Sequence, residues 1–239
     1  TELLQSLSAT LDGDIGSDYT ADREVKKVLL VAISSNRGLA GAFNSNIVKS
    51  SLSLINETYK GKQVDFFTLG KKANDILNKE QTIIENNTEI FDELTYDNNA
   101  QIAQKLMNLF TDGTYDKIIL IYNKFKNAAT QIIMNEQFLP IVSNQEPDEK
   151  VEVSDYIFEP SKEKIVEELI PKSLKMQLFK ALRDSSASEH GARMTAMHKA
   201  TDNATELRDA LTLQYNKARQ AAITNEILEI VGGAEALAG

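Results

Sequence analysis

The sequence has 239 residues, of which 42% are hydrophobic, and it carries a formal net charge of −9. This composition is typical of a folded globular protein, and an acidic chain without a basic block is a poor candidate for binding nucleic acid through its phosphates. The chain holds no cysteine, which excludes disulfides, zinc–thiolate sites and thiol catalysis within these residues.

The first residues have the spacing of a helix that is coming to its end. Leu3, Leu4, Leu7 and Leu11 recur at helical intervals, and no signal-peptide pattern precedes them. The sequence also begins without methionine. We therefore expect residues 1–12 to be the remnant of a helix that starts upstream.

Residues 24–160 have the pattern of an α/β domain. Continuous apolar segments predict buried strands at 25–33, 63–69 and 117–122, an edge strand at 81–84, and a returning pair at 130–134 and 138–142. Helical patterns lie between them at 44–61, 71–78 and from Asn98 to Gly113. Because strands alternate with helices, the sequence predicts a mostly parallel, Rossmann-like sheet with antiparallel late strands.

The ends of these helices are predicted from their polar residues. Asn44 and Asn46 have the type that caps the first helix, and Asn98 with Asn99 has the type that caps the last. A polar loop is predicted at 143–150 and an extended segment at 151–158. Pro160 and Ser161 are expected to start a further helix.

A long helix is predicted after Pro171. Residues 172–231 contain no proline and a single glycine, Gly191. Both residue types weaken helices, so this span permits one continuous helix of about 90 Å, with Pro171 in its first turn and Gly232 with Gly233 at its C-terminal cap. A globule of this length is roughly 45 Å across. We therefore assign residues 161–239 to a helix that extends beyond a single core.

The apolar pattern of this helix predicts a close pairing with another helix. Leucines at 174, 178 and 182 are followed by alanines at 192, 196, 200 and 204, and then by Leu207, Leu211 and Tyr215. Alanine ridges allow two helices to approach closely. No later segment is long enough to be the partner, so we expect an antiparallel coiled coil with the upstream segment.

The end of the helix is apolar on nearly every side, through Ile223, Ile227, Ile230 and Val231. Such a surface predicts enclosure by another protein. Burial against the chain's own fold is an equally open alternative.

Two glycines, Gly38 and Gly41, lie between the first strand and the first helix. A glycine-rich turn in this place can bind a phosphate, but the spacing is neither the dinucleotide fingerprint nor the P-loop. We favour a tight-turn or packing role. The two histidines, His190 and His198, lie about 80° apart around a helix and are not expected to share a metal ion.

Several motifs resemble the gamma subunit family of the rotary F-type ATP synthase. They are residues 35–44 (SNRGLAGAFN), 156–160 (YIFEP), 188–197 (SEHGARMTAM) with 200–203 (ATDN), 215–224 (YNKARQAAIT) and 229–233 (EIVGG). The resemblance covers the whole chain in order. Two departures are the absent N-terminal helix of roughly fifty residues and Ala40, which stands where the family commonly has cysteine.

The resemblance implies a central rotor shaft inside a ring of three alpha and three beta subunits. Its coiled coil would turn in this ring while the α/β domain lies at the foot, near the epsilon subunit and the c-subunit ring. It implies a subunit that is not catalytic by itself, without cofactor or metal. It also implies a peripheral location on the cytoplasmic side of the bacterial inner membrane.

The resemblance also implies roles for particular residues. Arg193, Arg219, Gln220 and Thr224 match positions that contact the catalytic subunits. Tyr156 and Glu159 match positions at the foot near the c ring, and the apolar residues of the tip match a bearing surface.

Two other functions are consistent with parts of the sequence. A nucleotide-using enzyme would employ the Gly38–Gly41 loop but leaves the long helix unexplained. A coiled-coil scaffold explains the helix and predicts self-association, which is also expected of a fragment that lacks its partner helix. The charge is unevenly spread, since residues 171–239 carry 9 basic and 8 acidic side chains and residues 1–170 carry 17 and 27.

Overall fold

The computed structural model describes residues 17–20, 23–141 and 162–239. The predicted helix remnant at 1–12, the loop at 143–150 and the extended segment at 151–158 lie outside these residues. Tyr156, Glu159 and the predicted helix start at Pro160 and Ser161 also lie outside them.

Five strands form one sheet in the order β3-β2-β1-β4-β5. The strands are β1 Lys27–Ile33, β2 Gln63–Leu69, β3 Ile83–Asn87, β4 Lys117–Phe125 and β5 Gln131–Leu139. The pairs β1–β2, β1–β4 and β2–β3 are parallel, and β4–β5 is antiparallel. The predicted mostly parallel sheet is therefore confirmed, with its edge strand β3 close to the expected place.

The helices are α1 Ser17–Thr20, α2 Phe43–Ser53, α3 Lys71–Leu77, α4 Tyr96–Thr111 and α5 Lys162–Ala238. A π-helical turn, Leu54–Thr58, continues α2, and a 3₁₀ turn, Glu89–Phe91, precedes α4. Helices thus connect the parallel strands, as the alternating pattern predicted.

The capping predictions for α2 and α4 are wrong. Ala42 occupies the N-cap of α2 without a side-chain bond. Asn44 lies inside the helix, and its Oδ1 accepts a hydrogen bond from the backbone N–H of Ser35 at 3.0 Å. In α4 the cap is Thr95, whose hydroxyl accepts from the N–H of Asn98 at 3.3 Å. Thr95 has the extended backbone that a capping residue needs, whereas Asn98 is already helical.

The predicted pair of late strands is a single strand, β5. Polar residues lie in the middle of this strand, at Asn135, Glu136 and Gln137. They are tolerated because β5 is an edge strand and because the sheet uses one of them: the Tyr122 hydroxyl donates to Glu136 Oε2 at 2.7 Å. Burial, and then this hydrogen bond, raises the pKa of Tyr122.

The first-turn position predicted for Pro171 and the C-terminal cap predicted at Gly232 and Gly233 are wrong, although α5 spans nearly the assigned range 161–239. Pro171 lies inside α5, which begins at Lys162, and Gly232 with Gly233 lies inside it as well. A proline within a helix loses one backbone hydrogen bond. Here Ile170 and Leu174 on either side are buried in the core, and that packing holds the helix together across the proline. The helix has 77 residues.

Hydrophobic side chains cover both faces of the sheet. On one face Leu29, Val31 and Ile33 of β1 pack with α4 and with the first half of α5. On the other face Val28, Leu30 and Ala32 pack with α2 and α3. Successive strand residues point to opposite faces, so β1 is buried on both sides, as its continuous apolar sequence predicted.

The chain divides into two compact units, Thr1–Met194 and Thr195–Gly239. We call the described part of the first unit the sheet domain. It contains the strands together with α5 up to Met194. The second unit is the remaining part of α5. Among the residues that the structure describes, no helix combines the length and apolar character that crossing a membrane requires.

Candidate functional site

The glycine loop after β1 forms a turn that closes on itself. The Ser35 hydroxyl donates to the Arg37 carbonyl at 2.6 Å. Leu39 and Gly41 adopt positive φ angles of 62° and 56°. A positive φ is strained for leucine but easily adopted by glycine. Leu39 is 77% exposed. The turn therefore presents an apolar side chain to its surroundings.

Polar groups of this loop are bonded to neighbouring parts of the sheet domain. The Asn36 amide donates to the Thr88 carbonyl at 2.8 Å and accepts from the N–H of Lys71 at 3.1 Å. The N–H of Lys72 donates to the Ser35 carbonyl at 3.0 Å. This arrangement supports the predicted turn and packing role rather than a phosphate cradle.

Arg193 of α5 contacts the same loop. Its guanidinium donates to the backbone carbonyls of Arg37 and Gly38 at 3.4 Å and pairs with Glu189 at 2.7 Å. Ala192 packs with Ala40 of the loop and with Phe43 in a small buried cluster. The structure thus places this predicted contact residue against its own sheet domain.

The hairpin between β4 and β5 approaches α5 closely. The Ser188 hydroxyl donates to the Asn123 carbonyl at 2.9 Å. A Cβ atom added to Gly191 would lie 3.1 Å from Ala128 Cα and 3.3 Å from a ring carbon of Phe125. Our sequence interpretation missed this contact. The signal was available, because a lone glycine in a long helix often marks a close approach.

The second unit exposes an apolar face. Large apolar side chains along it, including Leu207, Leu211 and Tyr215, are exposed. A shallow groove is lined by Ala204, Leu207, Arg208, Leu211, Thr212 and Tyr215. Four of these residues, Ala204, Leu207, Leu211 and Tyr215, belong to the apolar pattern from which the sequence predicted a partner helix.

The predicted tip has the same character. Ile223, Ile227, Ile230 and Val231 are each about half exposed or more. The three polar contact candidates lie at the beginning of this group: Arg219 and Gln220 are about one turn before Ile223, and Thr224 follows it directly. All three are exposed, and the Thr224 hydroxyl donates to the Gln220 carbonyl at 2.8 Å. One stretch of helix therefore carries both the polar candidates and the apolar tip.

His190 and His198 are exposed on α5. Within the described ranges, no three histidine or acidic side chains are grouped so that they could hold a metal ion.

Comparisons with known proteins identify relatives over the whole chain. A family model described as ATP synthase matches residues 1–237. Two curated proteins, both called ATP synthase gamma chain, come from Christiangramia forsetii and Flavobacterium psychrophilum. They are 68% and 66% identical to this chain over 239 residues, which is 100% of this chain and 83% of each relative.

Solved structures show a similar fold. A chain in the cryo-EM structure of the Euglena gracilis mitochondrial ATP synthase (OSCP/F1/c-ring) has a TM-score of 0.69 and 24% identity, covering 95% of this chain and 78% of that chain. A chain in the central stalk/c-ring structure from Tetrahymena thermophila has a TM-score of 0.58 and 24% identity, covering 84% of this chain and 93% of that chain.

Proposed function

This chain belongs to the ATP synthase gamma chain family, and we propose that it works as the central-stalk rotor of an F-type ATP synthase. In this role it turns inside a ring of three alpha and three beta subunits. Ion flow through the membrane sector then drives ATP synthesis, or ATP hydrolysis drives the reverse. The chain does not itself catalyse the reaction and needs no cofactor.

One observation carries the proposal: the second unit is a single helix whose large apolar side chains are exposed. Exposed apolar surface on this scale marks a site of protein contact. An apolar tip also has few directional hydrogen bonds, so it can face different neighbours in turn without a fixed partner. An asymmetric shaft favours different conformations in otherwise identical subunits through its different contacts with each.

The groove at Ala204, Leu207 and Leu211 is where the shaft would take up the second helix of its coiled coil. We assign this groove to an upstream helix of the same protein, paired antiparallel. The relatives are longer than this chain, which spans 83% of each. In this proposal residues 1–12 end that helix, residues 24–160 form the α/β foot, and residues 161–239 form the shaft.

The polar candidates transmit torque to the catalytic subunits. Arg219, Gln220 and Thr224 are exposed beside the tip, where a surrounding subunit would meet them. Arg193 is assigned to a lower contact, where it also binds the loop at Gly38. At the foot, Tyr156 and Glu159 are assigned to the region near the c ring and the epsilon subunit. The complex lies on the cytoplasmic face of the bacterial inner membrane.

The test is a double variant at the tip. Arg219→Ala with Gln220→Ala is expected to lower ATP synthesis, or assembly with alpha and beta subunits, while leaving the fold unchanged. The matched control is Gln101→Ala with Arg183→Ala, which removes the same two residue types from exposed positions of the sheet domain. The control is expected to assemble and synthesise ATP at the unmodified rate. Unchanged synthesis and assembly in the tip variant would contradict the assigned contacts.

Reconstitution tests the function as a whole. The full-length protein is mixed with purified alpha and beta subunits, and complex formation and ATPase activity are measured. We expect a stable, active complex. Absence of both would instead favour the coiled-coil scaffold.

A further inference from the structure

The guanidinium of Arg193 is bound by groups of its own sheet domain. Its Nη2 atom donates to Glu189 Oε1 at 2.7 Å, one turn earlier on α5. Nε and Nη2 also donate to the Gly38 carbonyl, and Nη2 to the Arg37 carbonyl, each at 3.4 Å. A distance of 2.7 Å is typical of a charge-assisted hydrogen bond, whereas 3.4 Å is long for an N–H donor. Glu189 is therefore the main partner of this guanidinium.

The ion pair between Arg193 and Glu189 is partly shielded from solvent. The two side chains are 24% and 14% exposed. Fully exposed ion pairs contribute little because water and salt screen them, and shielding strengthens the attraction. The pair is thus stronger than a surface contact, while part of the guanidinium stays accessible to another protein.

A carboxylate of another protein would compete with Glu189 for the same nitrogen atom. A guanidinium binds a carboxylate most strongly through two adjacent nitrogens, either Nε with Nη2 or Nη1 with Nη2. In Arg193 the first of these edges lies against the Gly38 carbonyl of the glycine loop. The second edge includes Nη2, which Glu189 already binds. A two-bond contact with another protein therefore requires Arg193 to release Glu189.

We propose that Glu189 is an internal competitor that makes the contact between Arg193 and the catalytic subunits reversible. A rotor contact must form and break in every turn. A carboxylate of a catalytic subunit replaces Glu189 on Nη2 when it arrives, and Glu189 binds again when it leaves, so the guanidinium has a counter-ion in both states. Glu189 acts through Arg193 and is a positioning residue. The inference rests on the proposed function, because it needs the lower contact assigned to Arg193.

Glu189→Gln tests the exchange in the assembled complex, because the amide keeps the size and an acceptor oxygen but loses the charge. The full-length protein is assembled with alpha and beta subunits, and a bead on the sheet domain reports ATP-driven rotation. Arg193→Ala identifies the pause that depends on the contact, since this pause is expected to shorten. In Glu189→Gln the same pause is expected to lengthen about fivefold, because a neutral competitor binds the guanidinium less strongly than a charged one.

Three outcomes for Glu189→Gln overturn the proposal. A shorter pause would show that Glu189 only holds Arg193 in place for its partner. An unchanged pause would show that the two carboxylates do not compete. Loss of assembly together with a reduced melting temperature would show that the ion pair is purely structural.

A double variant shows whether Glu189 acts through Arg193. Adding Glu189→Gln to Arg193→Ala is expected to leave the pause of Arg193→Ala unchanged, because no guanidinium remains to compete for. A longer pause in the double variant would contradict the proposal.

Glu85→Gln is the matched control, since it makes the same chemical change in another ion pair of the sheet domain, with Lys105. It is expected to leave the pause unchanged, and an equal lengthening in this control would overturn the proposal. Two results would instead contradict the proposed function. They are the absence of rotation in the unmodified complex and, for the assigned lower contact, an unchanged pattern of pauses in Arg193→Ala.

Discussion

The two parts of α5 carry similar leucine patterns in different surroundings. Leu174, Leu178 and Leu182 recur every four residues and are 3%, 0% and 0% exposed. Leu207, Leu211 and Tyr215 recur at the same interval and are 61%, 55% and 68% exposed. Periodicity shows that a helix has an apolar face, but it does not show whether the partner belongs to the same fold. The following predictions test this contrast, beginning with the largest effect.

Matched leucine substitutions test the contrast most directly. Leu178→Ala is expected to lower the free energy of unfolding of the 239-residue chain by about 2–5 kcal/mol, because it opens a cavity in the core. Leu211→Ala is expected to change it by less than about 0.5 kcal/mol, because the side chain is already in solvent. Urea denaturation measures both. A comparable loss at Leu211 would show that the exposed face is covered, for example by a second copy of the chain.

Two glycines are expected to respond with opposite signs. In Gly70→Ala the new Cβ would lie 2.6 Å from the Ser34 carbonyl oxygen at a φ of +103°, so we expect a loss of at least about 1–3 kcal/mol. Gly232→Ala meets no atom within 4 Å and should stabilise the helix end by about 1 kcal/mol. Thermal unfolding measures the first change, and amide hydrogen exchange near residue 232 measures the second. Equal signs would contradict the difference between the two surroundings.

Substitutions of two buried serines on α5 separate the contribution of a hydrogen bond to stability from that of burial alone. Ser188→Ala is expected to cost about 1 kcal/mol through the lost bond to Asn123. Ser185 is also buried, but its hydroxyl has no hydrogen-bond partner among the described residues. Ser185→Ala should therefore be neutral or stabilising. Both changes alter helix propensity equally, so the difference in unfolding free energy isolates the hydrogen bond.

The smallest expected effect depends on pH. Partial burial opposes ionisation of Asp116, but hydrogen bonds from the N–H groups of Lys27 and Lys26 outweigh it and lower the pKa of this carboxyl. Its stabilisation is therefore present at neutral pH and is lost as the pH falls below about 4. Asp116→Asn should reduce the loss of stability in acid by less than about 1 kcal/mol.

Asp209→Asn is the matched control for this measurement. Asp209 lies in the second unit, where its exposed carboxylate is bonded to the adjacent Arg208. The acid denaturation profile of this variant should follow that of the unmodified chain. An equal change in both variants would show that the backbone hydrogen bonds at Asp116 do not matter.

Strand positions could be predicted because a strand that is buried on both faces has a continuous apolar sequence. The segments of β1, β2 and β4 are continuous apolar runs between polar turns, and each was placed to within a few residues. Helix ends were less predictable, because they depend on tertiary contacts. Phe43 packs into the cluster with Ala192 beside the start of α2, and the packing of Ile170 and Leu174 carries α5 past Pro171.

The candidate site also has a part that could be predicted from the sequence and a part that could not. Apolar tip residues such as Ile223 and Ile227 could be recognised in the sequence, because apolar residues occupy nearly every side of this end of the helix. The contacts of Arg193 with Arg37 and Gly38 join residues more than 150 positions apart, and no local pattern encodes them. These contacts were therefore visible only in the folded chain.

The packing of α5 on the sheet has a consequence for synthesis on the ribosome. One face of the sheet is covered partly by Ile170, Leu174, Leu178 and Leu182, which are translated after all five strands. Until these residues leave the exit tunnel, the nascent domain presents apolar strands to the cytosol. Such surfaces are prone to aggregation and attract chaperones. A ribosome that pauses before residue 182 would prolong the time in which the exposed sheet of the nascent domain can aggregate.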